Sequence, residues 1–306
     1  MNRDQIIKDS VKQGWVESMP ESVRPYLRLS RYDRPIGFWL LALPGWIGLA
    51  FASLSQGLGW EEIKYAVLIA IGAVAMRGAG CTYNDIVDRD LDASVERTAL
   101  RPLPAGTVSL KAAWTWVAIQ CGIGAIVLAF FPRLAQIIAV SSLALVAGYP
   151  FMKRITFWPQ AWLGLTFNWA VLVAFVAKTG AVSPSLLFLY AGLVFWTIGY
   201  DTIYACQDKE DDALIGIKST ARLFGDRVKL GVGICYALCV SFLLLTGWVE
   251  TNHWVSLLAI VPFALHLIWQ TSKLDPQDGR SCLNLFKSNR SAALLCIVGI
   301  VLAGLL

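Results

Sequence analysis

Two short stretches of the chain gather acid at the ends of apolar runs. "CTYNDIVDRDLD", residues 81–92, carries Asn84, Asp85, Asp88, Asp90 and Asp92, and "YDTIYACQDKEDD", residues 200–212, carries Asp201, Asp208, Glu210, Asp211 and Asp212. At about 100° per helical residue, Arg77, Cys81, Asn84, Asp85, Asp88 and Asp92 fall within roughly a 100° arc, while Arg89 and Asp90 point elsewhere. The same count gathers Asp201, Tyr204, Asp208, Asp211 and Asp212, with Glu210 opposite. Charge runs are commonly just solvated helix ends. Here, however, carboxylates spaced i,i+4 repel one another, and Arg77 and Asp201 lie where ionisable groups are costly and usually functional. The pattern also occurs twice. Two walls of carboxylate suit a hard divalent cation. Magnesium takes one or two carboxylates together with phosphate oxygens, and Asn84 adds an amide oxygen. No set of thiolates or imidazoles is present to favour zinc or copper, so a magnesium-bound phosphate or diphosphate is the expected occupant.

The loops on the same side supply cations. "ERTALRP" contributes Arg97 and Arg101, and "YPFMKR" contributes Lys153 and Arg154. Arginine forks suit phosphate oxygens and lysine acts as a point charge. The general excess of basic residues in cytosolic loops accounts for Arg101 and Arg154 and competes with an anion-binding role for Arg97 and Lys153. There is no GxxxxGK[ST] loop and no GxGxxG motif, so nucleotide-type phosphate binding is excluded. An isoprenoid diphosphate fits an apolar setting, with its head on metal and its tail between helices or in lipid.

These residues must be positioned by membrane helices. The 306-residue chain is 57% hydrophobic and 15% charged, with a mean hydropathy of +0.59, which leaves too little polar surface for a soluble domain of this size. Thirteen tryptophans and nine tyrosines suit repeated crossing of membrane–water interfaces. With a span needing about 20 apolar residues, nine are predicted near 36–56, 63–83, 110–130, 134–152, 160–178, 183–206, 229–248, 253–271 and 290–306. Most of the 26 lysines and arginines fall before the first span or after the even-numbered ones, which places those segments and both acidic stretches on the cytosolic side. The basic loop over 273–290 is read as meeting anionic lipid. Residues 1–35 are polar and lack an apolar core of signal-peptide length. They read as a cytosolic tail ahead of a single transmembrane domain over 36–306. The seven cysteines form no CxxC pair, and His253 and His266 lie far from the acids, so disulfide, zinc and histidine-based nucleophilic chemistry are not expected. Phe167, Asn168 and Trp169 read as packing residues.

"NDIVDRDLD" followed by "RT", then "YPFMK", then "DTIYACQDKEDD" resemble, in order and spacing, the signatures of the UbiA-type intramembrane aromatic prenyltransferases. "RYDRPIGFWLLALPGWIG", "RTALRPLPAG" and "YPFMKRITFWPQ" look most like the members that prenylate 4-hydroxybenzoate in ubiquinone biosynthesis. The resemblance implies an all-α polytopic membrane protein. Its nine or so helices would form two pseudo-repeated four-helix units plus one helix around a central cavity, an arrangement the two acidic stretches four spans apart also suggest. It implies two magnesium ions held by Asn84, Asp88, Asp92, Asp208 and Asp212 and bridging a polyprenyl diphosphate. Arg97 and Lys153 would grip that diphosphate, with Tyr149 and Tyr204 nearby, and Arg77 would face the carboxylate of the acceptor. Asp201 would organise Tyr204, or take the ring proton in place of released diphosphate. Asp85 and Asp211 are reserve or outer ligands. The expected partners are polyprenyl diphosphate, 4-hydroxybenzoate and the lipid bilayer, without nucleic acid. The expected location is a bacterial inner membrane with the site facing the cytosol, ahead of the mitochondrial inner membrane. Rival readings are another acceptor in the same family (homogentisate, naphthoate or haem) and a transporter of an anionic substrate.

Overall fold

The computed structural model describes residues 14–93, 98–209 and 216–306, Asp208 by its backbone alone. Arg97, Asp211 and Asp212 therefore lie outside the described residues. Among the described residues there is no strand, and nine helical stretches are long and apolar enough to cross a membrane. After a short α1 (Arg24–Leu29) come α2 (Ile36–Gln56), α3 (Trp60–Val87), a one-turn α4 (Arg89–Ala93), α5 (Leu110–Leu128) and α6 (Arg133–Ile155). The fifth stretch is divided into α7 (Pro159–Phe167) and α8 (Trp169–Thr179), followed by α9 (Pro184–Ala205). Helices Val228–Thr251, Val261–Lys273 and Gly279–Ala303 complete the chain.

Local chemistry sets the ends. Ser109 and Ser183 accept the backbone N–H of Ala112 and Leu186 as N-caps, satisfying donors that a helix start leaves unpaired. The last helix begins at Gly279, well before the expected 290, because Asp278 caps it by accepting from the N–H groups of Arg280 and Ser281. Its early turns already bury Cys282, Leu285, Phe286 and Asn289, leaving Arg280, Lys287 and Arg290 exposed. The expected basic loop over 273–290 is thus mostly the polar face of a helix. Likewise α3 runs past the expected 83 to Val87 and carries Asn84 and Asp85 in its last turn. The division between α7 and α8 falls at Asn168, fully buried, whose Nδ2 donates to the carbonyls of Gly164 (2.8 Å) and Leu193 (3.0 Å). Asn168 therefore does more than pack: it satisfies backbone carbonyls at the break, where lipid offers no partner.

Contacts divide the chain into two compact units, residues 1–39 with 70–130 and residues 40–69 with 131–306. They do not follow the expected four-plus-four duplication. In the first unit Leu29, Leu103, Val108 and Ala113 form a buried cluster, and Trp116 and Gln120 both donate to the Ser30 hydroxyl at 2.8 Å. In the second, α9 buries Leu186, Leu189, Leu193, Trp196, Tyr200 and Ile203. Ahead of Asp201 it is largely apolar on every side, as suits a helix surrounded by others. Trp196 donates to Asn289 Oδ1 at 2.8 Å, and Glu62 is ion-paired with Lys178. Helix Val228–Thr251 keeps Leu230, Ile234 and Leu238 exposed at one-turn spacing, opposite buried Val232, Cys235, Tyr236 and Cys239. Such a stripe needs lipid to cover it.

Candidate active site

The first acidic stretch keeps its helical register through the end of α3. Asp88 N–H donates to the Asn84 carbonyl (2.9 Å) and Asp92 N–H to the Asp88 carbonyl (2.7 Å), so α4 continues the same turn. Asn84, Asp88 and Asp92 are stacked one above another. Asn84 Nδ2 donates to Asp88 Oδ2 at 3.1 Å. Asp85 and Asp88 are fully buried and Asp92 nearly so, whereas Arg89 and Asp90 pair with each other in solvent. A helix period counted from the sequence therefore separated the inward acids from the outward ones.

Asp85 has a different role from its neighbours. Its Oδ1 accepts from Arg31 Nη2 at 2.6 Å and from Arg101 Nη1 at 3.4 Å, which makes it an ion bridge rather than a reserve ligand. Arg101, ascribed above to the cytosolic basic excess, also donates to Asp92 Oδ2 at 2.6 Å. That ascription is corrected: the arginine belongs to the acid face. Thr98 and the turn that follows it bring the arginine there. Thr98 Oγ1 donates to the Asp92 carbonyl at 2.8 Å, and the N–H of Arg101 donates to the Thr98 carbonyl at 2.9 Å. Arg154, by contrast, is exposed, as the basic excess predicts. The sequence reading gave Arg31 no role, although the motif "RYDRPIGFWLLALPGWIG" begins on it.

Electrostatics at this face favour a further cation. Burial, against the pull of Arg101 and together with repulsion from Asp85 and Asp88, holds the Asp92 carboxyl above the usual carboxylate range, so its charged form gains from any positive charge placed beside it. Burial disfavours the Arg31 cation, but Asp85 and Asp33 more than offset that and raise its pKa above the ordinary value. Among the described residues no three Asp, Glu, His or Cys side chains gather into a metal cage. Magnesium takes one or two carboxylates, with the rest of its shell from substrate and water. The carboxylate and amide oxygens of Asp88, Asp92 and Asn84 match that donor chemistry.

Arg77 lies on α3 two turns before Asn84, about 10 Å of helix rise deeper in the span. A Cβ on the buried Gly37 would come within 2.5 Å of Arg77 Nε and 3.1 Å of Cζ, so the absent side chain makes the space the guanidinium occupies.

In the second unit, Asp201 and Tyr204 stand half-buried near the end of α9, with the Tyr204 ring 4.6 Å from that of Phe286. The backbone then tightens into a 3-10 turn over Cys206–Asp208. Tyr149 and Lys153 are half-buried in the last turns of α6. The Lys153 carbonyl accepts the N–H of Lys218 at 3.0 Å, joining the end of α6 to the chain that follows the second acidic stretch.

The fold defines a polytopic membrane protein, with buried carboxylates gathered where its third helix ends. The chain belongs to the UbiA prenyltransferase family, whose match covers residues 41–303. It is 40% identical over 299 residues to the Arabidopsis thaliana protein named 4-hydroxybenzoate polyprenyltransferase, mitochondrial, covering 97% of this chain and 72% of that relative. A UbiA homolog from Aeropyrum pernix K1 has the same fold, with a TM-score of 0.71 and 28% identity over 86% of this chain and 97% of the other. A UbiA homolog from Archaeoglobus fulgidus, solved bound to GPP and Mg2+, superposes with a TM-score of 0.66 at 21% identity, over 92% of this chain and 100% of that one. At that identity the likeness is one of fold.

Proposed function

We infer that the chain transfers a polyprenyl group from polyprenyl diphosphate to the ring carbon of 4-hydroxybenzoate ortho to its hydroxyl, a step of ubiquinone biosynthesis. The observation that carries this reading is the near full-length likeness to a 4-hydroxybenzoate polyprenyltransferase, joined to a stacked Asn84–Asp88–Asp92 face at the end of an apolar span.

We propose magnesium as the cofactor, two ions per site, with Asn84, Asp88, Asp92, Asp208 and Asp212 as its ligands. Its support is the oxygen donor set of this chain and a family relative solved with GPP and Mg2+. Bound magnesium supplies Lewis-acid neutralisation of the charge that develops on a leaving diphosphate. The chain's own residues do the rest. Arg97 and Lys153 hold diphosphate oxygens by charge-assisted hydrogen bonds, with Tyr149 and Tyr204 beside them. Apolar helix faces keep water from an allylic cation as the carbon–oxygen bond breaks. Arg77 pairs the acceptor carboxylate and so turns the phenol ring, whose ortho carbon forms the new bond and loses its proton. Asp201 orients Tyr204 or takes that proton. Residues 36–306 act as one catalytic domain, with 1–35 as its tail. The Arabidopsis relative is named as mitochondrial, which bears against the expected bacterial inner membrane. The proposed orientation, both acidic stretches on the basic-rich face, holds for either membrane.

Membranes holding the chain, given a radiolabelled polyprenyl diphosphate and a panel of acids, should release diphosphate and form a labelled lipid-soluble aromatic product with 4-hydroxybenzoate. Product with homogentisate or naphthoate alone would reassign the acceptor. Uptake of label without diphosphate release would replace the enzyme with a transporter.

A further inference from the structure

The end of α1 breaks a local rule. The N–H of Tyr32 donates to the carbonyl of Leu27 and that of Arg31 to the carbonyl of Arg28, both at 3.0 Å, which is the hydrogen-bond pattern of a Schellman cap. The residue that must turn left-handed in this cap is usually glycine, because a Cβ is disfavoured there. Here it is Arg31, at φ 57°. Non-glycine residues persist in such a conformation when their surroundings over-determine it, and they cluster where geometry serves function. What holds Arg31 is its side chain. Nη1 donates to the Arg28 carbonyl at 3.0 Å and Nη2 to Asp85 Oδ1 at 2.6 Å, with only 11% of the side chain exposed.

Distances divide the acid face into two pairs. Arg31 is close to Asp85 (2.6 Å) and Arg101 is close to Asp92 (2.6 Å), while the cross-contact from Arg101 to Asp85 is long (3.4 Å). Both arginines meet the same Asp85 oxygen, and the other, Oδ2, is buried without a hydrogen-bond partner among the described residues. An unneutralised carboxylate buried this deeply would draw in the nearest cation. Among the described residues, the other cation that already reaches Asp85 is Arg101.

We propose that Arg31 is a positioning residue of the acid face: by neutralising the buried Asp85 it leaves Arg101 free to fix Asp92. The proposal rests on the reading of Asp92 as a metal ligand, and it assigns Arg31 no contact with substrate. Its strained backbone is the consequence of bringing a guanidinium, which glycine lacks, to Asp85 from the end of α1.

The test separates Asp85 from Arg31. In purified full-length protein, Mn2+ binding is read by EPR with geranyl diphosphate present and no aromatic acid, so that no turnover is needed. Arg31→Gln should weaken Mn2+ binding about tenfold, a coupling of ordinary size for residues in one network. Adding Asp85→Asn should restore it, because nothing then competes for Arg101. Equal weakening in the single and double variants, or unchanged binding in Arg31→Gln, would overturn the proposal. If Arg31→Gln alone fails to fold, the double variant, which buries neither charge, decides the matter, and weak Mn2+ binding in it overturns the proposal. Wild-type protein that binds no Mn2+ would remove the metal reading itself. Wild-type protein that binds Mn2+ but prenylates no acid would count against the proposed function and leave Arg31 to be judged on binding.

Discussion

Arg77 places a charge inside a span where an unsatisfied ion is expensive, and a glycine determines where that charge sits. The nearest neighbours of an alanine Cβ at 37 would be the far end of the Arg77 side chain, at 2.5 Å from Nε and 3.0 Å from Nη2. The guanidinium can move aside, so Gly37→Ala should fold normally with Arg77 displaced. Losing a charge-assisted hydrogen bond of about 1.5–3 kcal/mol should raise the KM for 4-hydroxybenzoate tenfold or more and leave the KM for polyprenyl diphosphate nearly unchanged. If Gly37 acts through Arg77 alone, Gly37→Ala adds nothing further in an Arg77→Ala background; additive losses in that double-mutant cycle would show a separate role. At this scale much was legible from one number, the helical period. It placed Asn84, Asp88 and Asp92 together and turned Arg89 and Asp90 away. It could not tell Asp85 from Asp88. That difference depends on Arg31 and Arg101, 54 and 16 residues away in sequence, and no periodicity links them to the face.

Elements were legible where hydropathy alone sets them and illegible where caps and packing do. The α2 range coincides with its expected span. The last helix began earlier because Asp278 caps it and a buried stripe extends through its basic turns, a pattern that a search for uniformly apolar stretches passes over. Within α9, close approach to the helix Val228–Thr251 is set by a small residue, as is usual where helices meet in membranes. A Cβ at Gly199 would fall 2.3 Å from Tyr236 Cε1. That ring is buried and its hydroxyl donates to Gln270 Oε1 at 2.6 Å, so it cannot swing clear as Arg77 can. Gly199→Ala should therefore cost about 1–3 kcal/mol as overpacking, read as a lower thermal midpoint in detergent. An unchanged midpoint would mean that the two helices separate at little cost. The contrast with Gly37 is the point: the same added methyl should alter substrate affinity at one helix and stability at the other.

For the molecule as a whole, composition pointed to the class, residue chemistry to a metal-bound diphosphate, and only the family resemblance to the activity. An apolar, all-helical chain can keep water from a reactive cation, yet the same apolar setting makes clustered carboxylates costly unless a cation is shared among them. The expected duplication of four-helix units was not legible in the packing, whose two units divide elsewhere, because duplication is a statement about ancestry and contact about present side chains. The proposed dependence on a cation belongs to the scale of the whole molecule. If the acids serve magnesium, excess EDTA should stop prenyl transfer entirely while leaving the protein folded in the membrane, and added Mg2+ should restore it. Mn2+, which shares the preference for carboxylate and water ligands, should substitute. Ca2+, which prefers longer bonds and more ligands, should bind yet support turnover poorly. Zn2+, which favours thiolate and imidazole ligands over the carboxylate and amide oxygens of Asp88, Asp92 and Asn84, should not substitute. Full activity in excess EDTA would show that arginine and lysine alone carry the diphosphate, and Asn84, Asp88 and Asp92 would then need a different explanation.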